Sequence, residues 1–298
     1  MNSAQHGRST VCAAVVTFHP DEHVVQLLSS VARQVDQVVV IDNNSSARET
    51  RLIRDWADSA GATWVANEAN LGSATALNQA ARAAWSAGHG WLLTLDQDTT
   101  IPSDLVVGLR AAIAADAVPG EVAIAAPQTE HQRDRRCRDA AVVRRRMAIT
   151  SGSLISLVAW QSVGGFRDDF FIDMVEADFA LRLAQRGYRV ILACRASIDH
   201  RIGQPRTHRI LGRLVVETSN HPAWRRYYIS RNRIHVWREH WREAPVWVLF
   251  DGYGALRDTV VMALTEDDRR RKLRATVRGL ADGLRGRLGQ RVTRPDAP

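Results

Sequence analysis

Residues 92–100 read Leu92-Leu93-Thr94-Leu95-Asp96-Gln97-Asp98-Thr99-Thr100: an apolar run long enough for a buried strand, ending in two acids one residue apart. Like charges side by side in a cleft repel, so such a pair calls for a counterion. A divalent cation with hard oxygen ligands, shared with a diphosphate, supplies one. The plainer use of these residues is a turn, with Asp98 or Thr100 directing the chain toward a helix near Pro102-Ser103-Asp104. The metal use predicts an enzyme that handles a nucleotide-diphosphate donor. Other acids stand where strands or loops give way to helices: Asp42, Asp173, Glu176 and Asp178. A carboxylate is acceptor-only, so Asp42 can take the N3–H of a pyrimidine. Glu176 and Asp178, at a helix start, can act as a general base or support one. Acids there also cap helices and complement their dipoles, and Asp173 fits that use best. Gly72 lets backbone approach a ribose or phosphate closely, and Asn70 and Asn78 can bond sugar or phosphate oxygens. His200 follows the last clear strand, and neutral imidazole is a common ligand for manganese-like ions, although a lone His is more often an ordinary surface or core residue.

The spacing of apolar residues supplies elements to carry these groups. Strands are predicted at 11–17, 38–41, 63–66, 91–95 and 122–125. Helices are predicted between them at 21–33, 49–60, 73–87 and 105–115, with Gly61 ending the second. This alternation predicts an α/β fold with a mostly parallel, doubly wound, Rossmann-like sheet. Ligands of such sheets bind beyond the carboxyl ends of the strands. Neither G-x-G-x-x-G after the first strand nor G-x-x-x-x-G-K-[ST] is present, which disfavours a dinucleotide site and a P-loop. Residues 130–146 are Arg-rich and read as a solvated surface connection or β-ribbon. A strand-like segment at 149–155, a turn at Val163-Gly164-Gly165-Phe166, a helix over 177–186 and a strand over 188–194 follow. From His221 onward the chain reads as helical and rich in Trp and Arg.

Composition narrows the class. With 298 residues, 45% hydrophobic and 24% charged, the chain can bury a sizeable core and is not disordered as a whole. Its net charge of +8 favours anionic partners such as a sugar nucleotide, a phospholipid surface or a nucleic acid. Cys12, Cys137 and Cys194 are an odd, widely spaced set without C-x-x-C, so no disulfide framework or zinc site is expected and a reducing cytoplasm fits. Residues 1–10 lack the apolar core of a signal peptide. The apolar stretch 244–264 is broken by Asp251, Arg257 and Asp258, too interrupted to span a bilayer.

Glycosyl transfer with inversion needs few parts: a base for the acceptor hydroxyl, a positive group on the departing diphosphate and a reader of the nucleobase. The ordered series Val16-Thr17-Phe18-His19-Pro20, Val40-Ile41-Asp42-Asn43-Asn44-Ser45, Asn67-Glu68-Ala69-Asn70-Leu71-Gly72 and Leu95-Asp96-Gln97-Asp98 resembles inverting GT-A glycosyltransferases of family 2, in their bacterial rhamnosyltransferase branch. Ser151-Gly152-Ser153-Leu154-Ile155, Gly164-Gly165-Phe166, Phe171-Ile172-Asp173, Asp199-His200-Arg201-Ile202-Gly203 and Tyr227-Tyr228-Ile229-Ser230-Arg231-Asn232 fit the same branch. The resemblance runs from about Val11 to Asn232. It implies that Asp42 and the backbone near Thr17 and Phe18 contact the base, with Asn44 in the same loop. It further implies that Asn70, Gly72, Asn78 and Asp96 line the nucleotide pocket. Asp96, Asp98 and His200 would hold Mg²⁺ or Mn²⁺, and dTDP-L-rhamnose is the implied donor. The family usually has Val-Asp-x-Glu where this chain has Val175-Glu176-Ala177-Asp178; the base position maps to Glu176, and Asp178 is the other candidate.

The resemblance divides the chain into a disordered tail at 1–10, a GT-A domain at 11–220, a helical extension at 221–290 and a tail at 291–298. The nucleotide-sugar half would be 11–125 and the acceptor half 147–220. Trp224, Arg225, Trp237, Trp241 and Arg242 fit the edge of an acceptor site, an interfacial helix on anionic lipid, or a packing or homodimer element. The leucine-bearing stretch 269–287 can lie on a membrane or pair with a partner. A saccharide or lipid-linked acceptor and a cytoplasmic location, peripheral on the inner face of the membrane, are implied. Two other classes compete. A sugar-nucleotide nucleotidyltransferase would need a Gly-rich basic loop where Thr17-Phe18-His19-Pro20-Asp21 stands. A polyanion-binding protein leaves the strand-end acids unexplained.

Overall fold

Strand β1 (Val11–Thr17) is buried at every residue but Val16, as expected of a central strand covered on both faces. In the computed structural model, which describes residues 9–129, 133–200, 206–210 and 214–292, it pairs in parallel with β2 (Gln37–Asp42) and β4 (Trp91–Asp96). Strand β3 (Thr63–Ala66) adds to β2. Residues 1–8 and 293–298 of the expected tails, 130–132 of the Arg-rich connection and Arg201-Ile202-Gly203 lie outside the described residues.

The chain divides into two compact units, Met1–Asp168 with Glu176–His200, and Asp169–Val175 with Arg201–Pro298. The first is built on an eight-stranded sheet of order β3-β2-β1-β4-β7-β5-β8-β6, in which β5 is Val122–Thr129, β6 Val142–Arg145, β7 Ser153–Ser156 and β8 Arg189–Ile198. Its helices are α1 (Val24–Ala32), α2 (Ala47–Ala60), α3 (Ser73–Ser86), α4 (Leu105–Ala115), α5 (Leu157–Ser162) and α6 (Val175–Gln185). Helix α1 buries Val24, Leu27, Leu28 and Val31, the face its spacing predicts, and each leucine is worth about 2 kcal/mol when buried. Helix α2 opens on a capping box, Ser46 with Glu49, and closes at Gly61 with φ 65°.

The sheet is mostly parallel, as expected, and its antiparallel members lie beyond β4. The next strand in space is β7 (Ser153–Ser156), antiparallel to β4 and to β5 (Val122–Thr129). Strand β5 then pairs in parallel with β8 (Arg189–Ile198), whose far edge carries antiparallel β6 (Val142–Arg145). Apolar pattern fixes that a segment is a strand but not its direction, and β7 runs straight into α5 with no crossover to orient it. The 149–155 prediction also shortens, because Ser151 and Gly152 form a turn.

The cysteine expectation is overturned. Cys137 and Cys194 form a disulfide, 57 residues apart in sequence with Cα atoms 5.0 Å apart. It joins the turn before β6 to β8, two partners that only the edge pairing brings together. Cys12 stays free and buried, and burial pushes its thiol up to about 12, as for an inert core residue.

The second unit holds a hairpin, β9 (Arg206–Ile210) with β10 (Leu214–Thr218), which lies beyond the strand expected to be last. Helices α7 (Ala223–His240), α8 (Pro245–Thr265) and α9 (Arg269–Leu284) follow. The packed face of α9 is not its leucine stripe. A Cβ on Gly279 would lie 2.3 Å from the Tyr227 carbonyl oxygen and one on Gly283 2.6 Å from that of Arg231, so glycines let α9 seat against α7. Val277 and Leu284 point outward, 63% and 65% exposed.

Candidate active site

The register of the parallel strands sets the site. Thr17 lies opposite Asp42 and Val16 opposite Asp96, so three adjacent strands present polar residues at one carboxyl edge. Strand β4 is anchored by Leu92, Leu93 and Leu95 in the core, and its last residue emerges half-exposed.

The Asp96 amide donates to Ser151 Oγ (3.1 Å), and Ser151 Oγ lies 2.5 Å from Thr99 Oγ1. Thr100 and Asp199 exchange backbone hydrogen bonds of 2.9 and 3.0 Å, which returns the end of β8 to the two acids. Gly152, at φ 77°, has no room for a side chain, since a Cβ would lie 2.9 Å from Ile198 and Pro127. His200 is thereby delivered to the pair: Nε2 is 3.6 Å from Asp96 Oδ2 and Nδ1 is 3.6 Å from Asp98 Oδ1. Thr99 Oγ1, 3.1 Å from Nδ1, orients the ring. One ligand atom from each of Asp96, Asp98 and His200 falls within 4.8 Å of the others. The acids are 50% and 65% exposed and the ring 10%, which leaves two open carboxylates beside a fixed imidazole. Two carboxylate oxygens and an imidazole nitrogen form a donor set suited to Mg²⁺ or Mn²⁺, with room for ligands from a diphosphate.

At the end of β2, Asp42 is 2% exposed and accepts from Thr17 Oγ1 (2.7 Å), Ser45 N (2.7 Å) and Ser45 Oγ (2.6 Å). The backbone of Phe18 is held by Gln97: its N–H donates to Oε1 (2.7 Å) and its carbonyl accepts from Nε2 (3.1 Å). Gln97, the residue between the two acids, thus clamps the β1 loop to the β4 loop. His19, at φ 49°, donates its amide to Ser45 Oγ and sets its ring 3.0 Å from Glu49. Hydrogen bonds from Ser46 and His19 hold the Glu49 carboxyl down to about 2. Asn44 is exposed in the same loop at φ 70°. Asn70 Oδ1 accepts from the amide of Gly72, which opens α3 at φ 86°. An amide ladder tightens that loop: Asn43 Nδ2 donates to the Gly72 carbonyl, while Asn67 bonds both Asn43 and Gln79.

Asn78 does not join the other predicted nucleotide residues. It is buried, donating to the Phe166 carbonyl (2.9 Å) and Asp168 (2.6 Å) and accepting from Trp160 Nε1 and Phe166 N (2.9 Å each). Its amide secures the Gly164-Gly165-Phe166 turn, and both ends are occupied. The helix-start acids also separate. Glu176 is half-buried, accepts from Thr150 Oγ1 (3.3 Å) and borders a small cavity with Thr150, Phe166 and Phe179. Asp178 is fully buried and paired with Arg182 at 2.7 Å, and Arg182 also donates to the Val163 carbonyl. Asp173, read as a helix cap, instead pairs with Arg225.

The fold is that of a GT-A glycosyltransferase. Residues 12–164, just over half the chain, match the family model described as glycosyl transferase family 2, and the chain belongs to that family. It is 23% identical over 297 residues to a dTDP-rhamnosyl transferase, RfbF, of Shigella flexneri, an alignment covering 94% of this chain and 97% of that one. Among solved structures it resembles the mannosyltransferase PcManGT of Pyrobaculum calidifontis, determined with GDP-Man and Mn²⁺ (TM-score 0.57, 18% identity, 94% of this chain and 88% of that one). It also resembles residues 1–349 of TarS from S. aureus (TM-score 0.54, 11% identity, 92% and 71%). Family membership sets aside both the nucleotidyltransferase and the polyanion-binder readings.

Proposed function

We propose that the chain transfers L-rhamnose, with inversion, from dTDP-L-rhamnose to a hydroxyl of a saccharide or lipid-linked saccharide in bacterial cell-surface polysaccharide synthesis. The observation that carries the reading is the Asp96, Asp98 and His200 cluster at the same sheet edge as Asp42. The similarity to a dTDP-rhamnosyl transferase supports the donor. Asp42, prearranged by Thr17 and Ser45, accepts the N3–H of thymine, with the Thr17, Phe18 and Asn44 backbone around the ring. The Asn70–Gly72 turn faces the ribose or phosphates. Asp96, Asp98 and His200 hold a divalent cation, which when bound would take up charge on the departing diphosphate. Glu176 takes the proton of the acceptor hydroxyl as that oxygen attacks the anomeric carbon, and one displacement inverts the centre. Asp178 is the support, its charge already matched by Arg182.

Calorimetry against dTDP-, UDP- and GDP-sugars, with and without Mn²⁺, tests the donor. dTDP-L-rhamnose is expected to bind at least about tenfold tighter than the UDP- or GDP-sugars, a difference of about 1.4 kcal/mol, and more tightly with Mn²⁺ than without it. A tighter UDP- or GDP-sugar would refute the donor assignment.

A peripheral position on the inner face of the cytoplasmic membrane belongs to the same reading. No described helix is long and apolar enough to cross a membrane. Helix α8 nevertheless exposes Leu249, Phe250, Tyr253, Leu256, Val260 and Leu264, each at least 48% exposed, at helical spacing. An exposed stripe of this length marks an interaction surface. Trp241 with Arg242 precedes it in the chain and Arg269, Arg270 and Arg271 follow, a composition suited to anionic lipid. The protein is expected to sediment with phosphatidylglycerol vesicles, and Leu249→Asp with Phe250→Asp to weaken this at least about tenfold, given about 2 kcal/mol per buried side chain. Unchanged sedimentation, or a homodimer broken by the same substitutions, would rule out the lipid contact. The Cys137–Cys194 disulfide is the feature that fits a reducing compartment least.

A further inference from the structure

The segment before Glu176 has an unusual backbone. Phe171, Asp173 and Met174 have φ of 66°, 64° and 62°. None is glycine, and side-chain-bearing residues adopt this left-handed region only when their surroundings hold them there. Three such residues within four positions need a strong grip.

Two residues of α7 provide it. Asn232 is fully buried, and its Nδ2 donates to the carbonyls of Phe170 (3.0 Å), Ile172 (2.8 Å) and Asp173 (2.9 Å). Arg231, equally buried, donates to the Phe170 carbonyl (2.9 Å) and through Nε to Asn232 Oδ1 (2.8 Å). Its guanidinium lies 4.7 Å from the centre of the Tyr228 ring. Tyr227 donates to Asp282 (2.9 Å), and the Tyr228 hydroxyl accepts from the amides of Arg291 and Val292. The Asp173 side chain is fixed separately by Arg225. The segment Tyr227-Tyr228-Ile229-Ser230-Arg231-Asn232, which the donor site leaves unexplained, therefore has a physical task. Its first two residues fasten α7 to the C-terminal chain and its last two grip a left-handed turn.

We infer that Arg231 and Asn232 are positioning residues for the base: by fixing the carbonyls of residues 170–173 they set the backbone from which Glu176 emerges two residues beyond Met174. The inference rests on Glu176 as the base. A buried amide is suited to the task because it gathers several carbonyls at one point without adding charge. Three hydrogen bonds from one amide hold this left-handed turn, so losing the amide frees its backbone.

The test uses the full chain, dTDP-L-rhamnose, Mn²⁺ and release of dTDP to water as the turnover readout, with hydrogen exchange of the 171–177 amides read alongside. Asn232→Ala is expected to speed exchange at 171–177, to lower turnover about 100-fold, as a displacement of about 1 Å does for a reacting group, and to leave dTDP affinity within about twofold. Adding Met174→Gly, which removes one left-handed penalty, is expected to restore part of the turnover. A loss due only to weakened helix packing would not respond to that glycine. Asn232→Gln, with the amide displaced by one methylene, gives the same pattern at smaller size and serves if Asn232→Ala does not fold. Unchanged exchange, or faster exchange with unchanged turnover, would overturn the positioning role. Glu176→Gln separates the two ideas: full turnover in that variant would remove the base assignment itself, whereas abolished turnover in Glu176→Gln with normal turnover in Asn232→Ala would remove only the positioning role.

Discussion

Glu176→Gln is expected to lower sugar transfer about 10²- to 10⁴-fold while leaving nucleotide binding unchanged, the usual span for loss of a general base. Gln keeps the length of the side chain and can still accept from Thr150, so the fold around α6 should persist. What it cannot do is take a proton. The extra methylene of Glu relative to the family's usual Asp makes Glu176→Asp informative as well: a shorter carboxylate with retained activity would mean that the reach of the base is not critical. Asp178→Asn should behave differently. Its carboxylate is fully buried on Arg182, so removing the charge leaves a cation with little solvent. Breaking such a pair costs roughly 3–5 kcal/mol, and a lower melting temperature should precede any loss of rate. Kinetics and thermal denaturation on both variants distinguish the roles. If Asp178→Asn keeps its stability and loses catalysis while Glu176→Gln remains active, the two acids exchange assignments.

The nucleotide half was legible because its signals are local. Buried strands such as Val11–Thr17 declare themselves by apolar runs, and Ser46 with Glu49 and Gly61 marks both ends of α2 within the sequence. Asp96, Gln97 and Asp98 stand out because a strand ends in charge. What escaped depends on residues brought together over long separations. The direction of β7 follows from its antiparallel pairing with both β4 and β5, strands distant from it in sequence. Cys137 meets Cys194 only because β6 lies along β8. Gln97 looks like a spacer until its amide is seen on the Phe18 backbone 79 residues away. Asn78 has the composition of a ligand contact but sits in the interior, which a polar residue on an otherwise Ala-rich helix face could have signalled. On α9 an apolar stripe shows in the sequence, but not that close contact with α7 is made through Gly279 and Gly283.

The second large effect is at the metal cluster. Asp98→Ala is expected to reduce Mn²⁺-dependent donor affinity about 100-fold or more, because it removes one of three protein ligands and one of two charges matched to the cation. The sign reverses without metal. Asp96 and Asp98 then face a diphosphate of the same sign of charge, so in EDTA the variant should bind dTDP no more weakly than the wild type, and slightly more tightly at low salt. That crossover separates a metal ligand from a residue that merely shapes the loop, since a loop defect would weaken binding in both conditions. Thr99→Val supplies the graded control. It leaves all three ligands but removes the hydroxyl that lies between Ser151 and His200, a change of the kind that costs about 10- to 100-fold in metal affinity. Calorimetric titration of dTDP with Mn²⁺ and with EDTA reads all these values. Equal Mn²⁺-dependent affinity in wild type and Asp98→Ala would remove Asp98 from the metal site and leave the two strand-end acids as a turn.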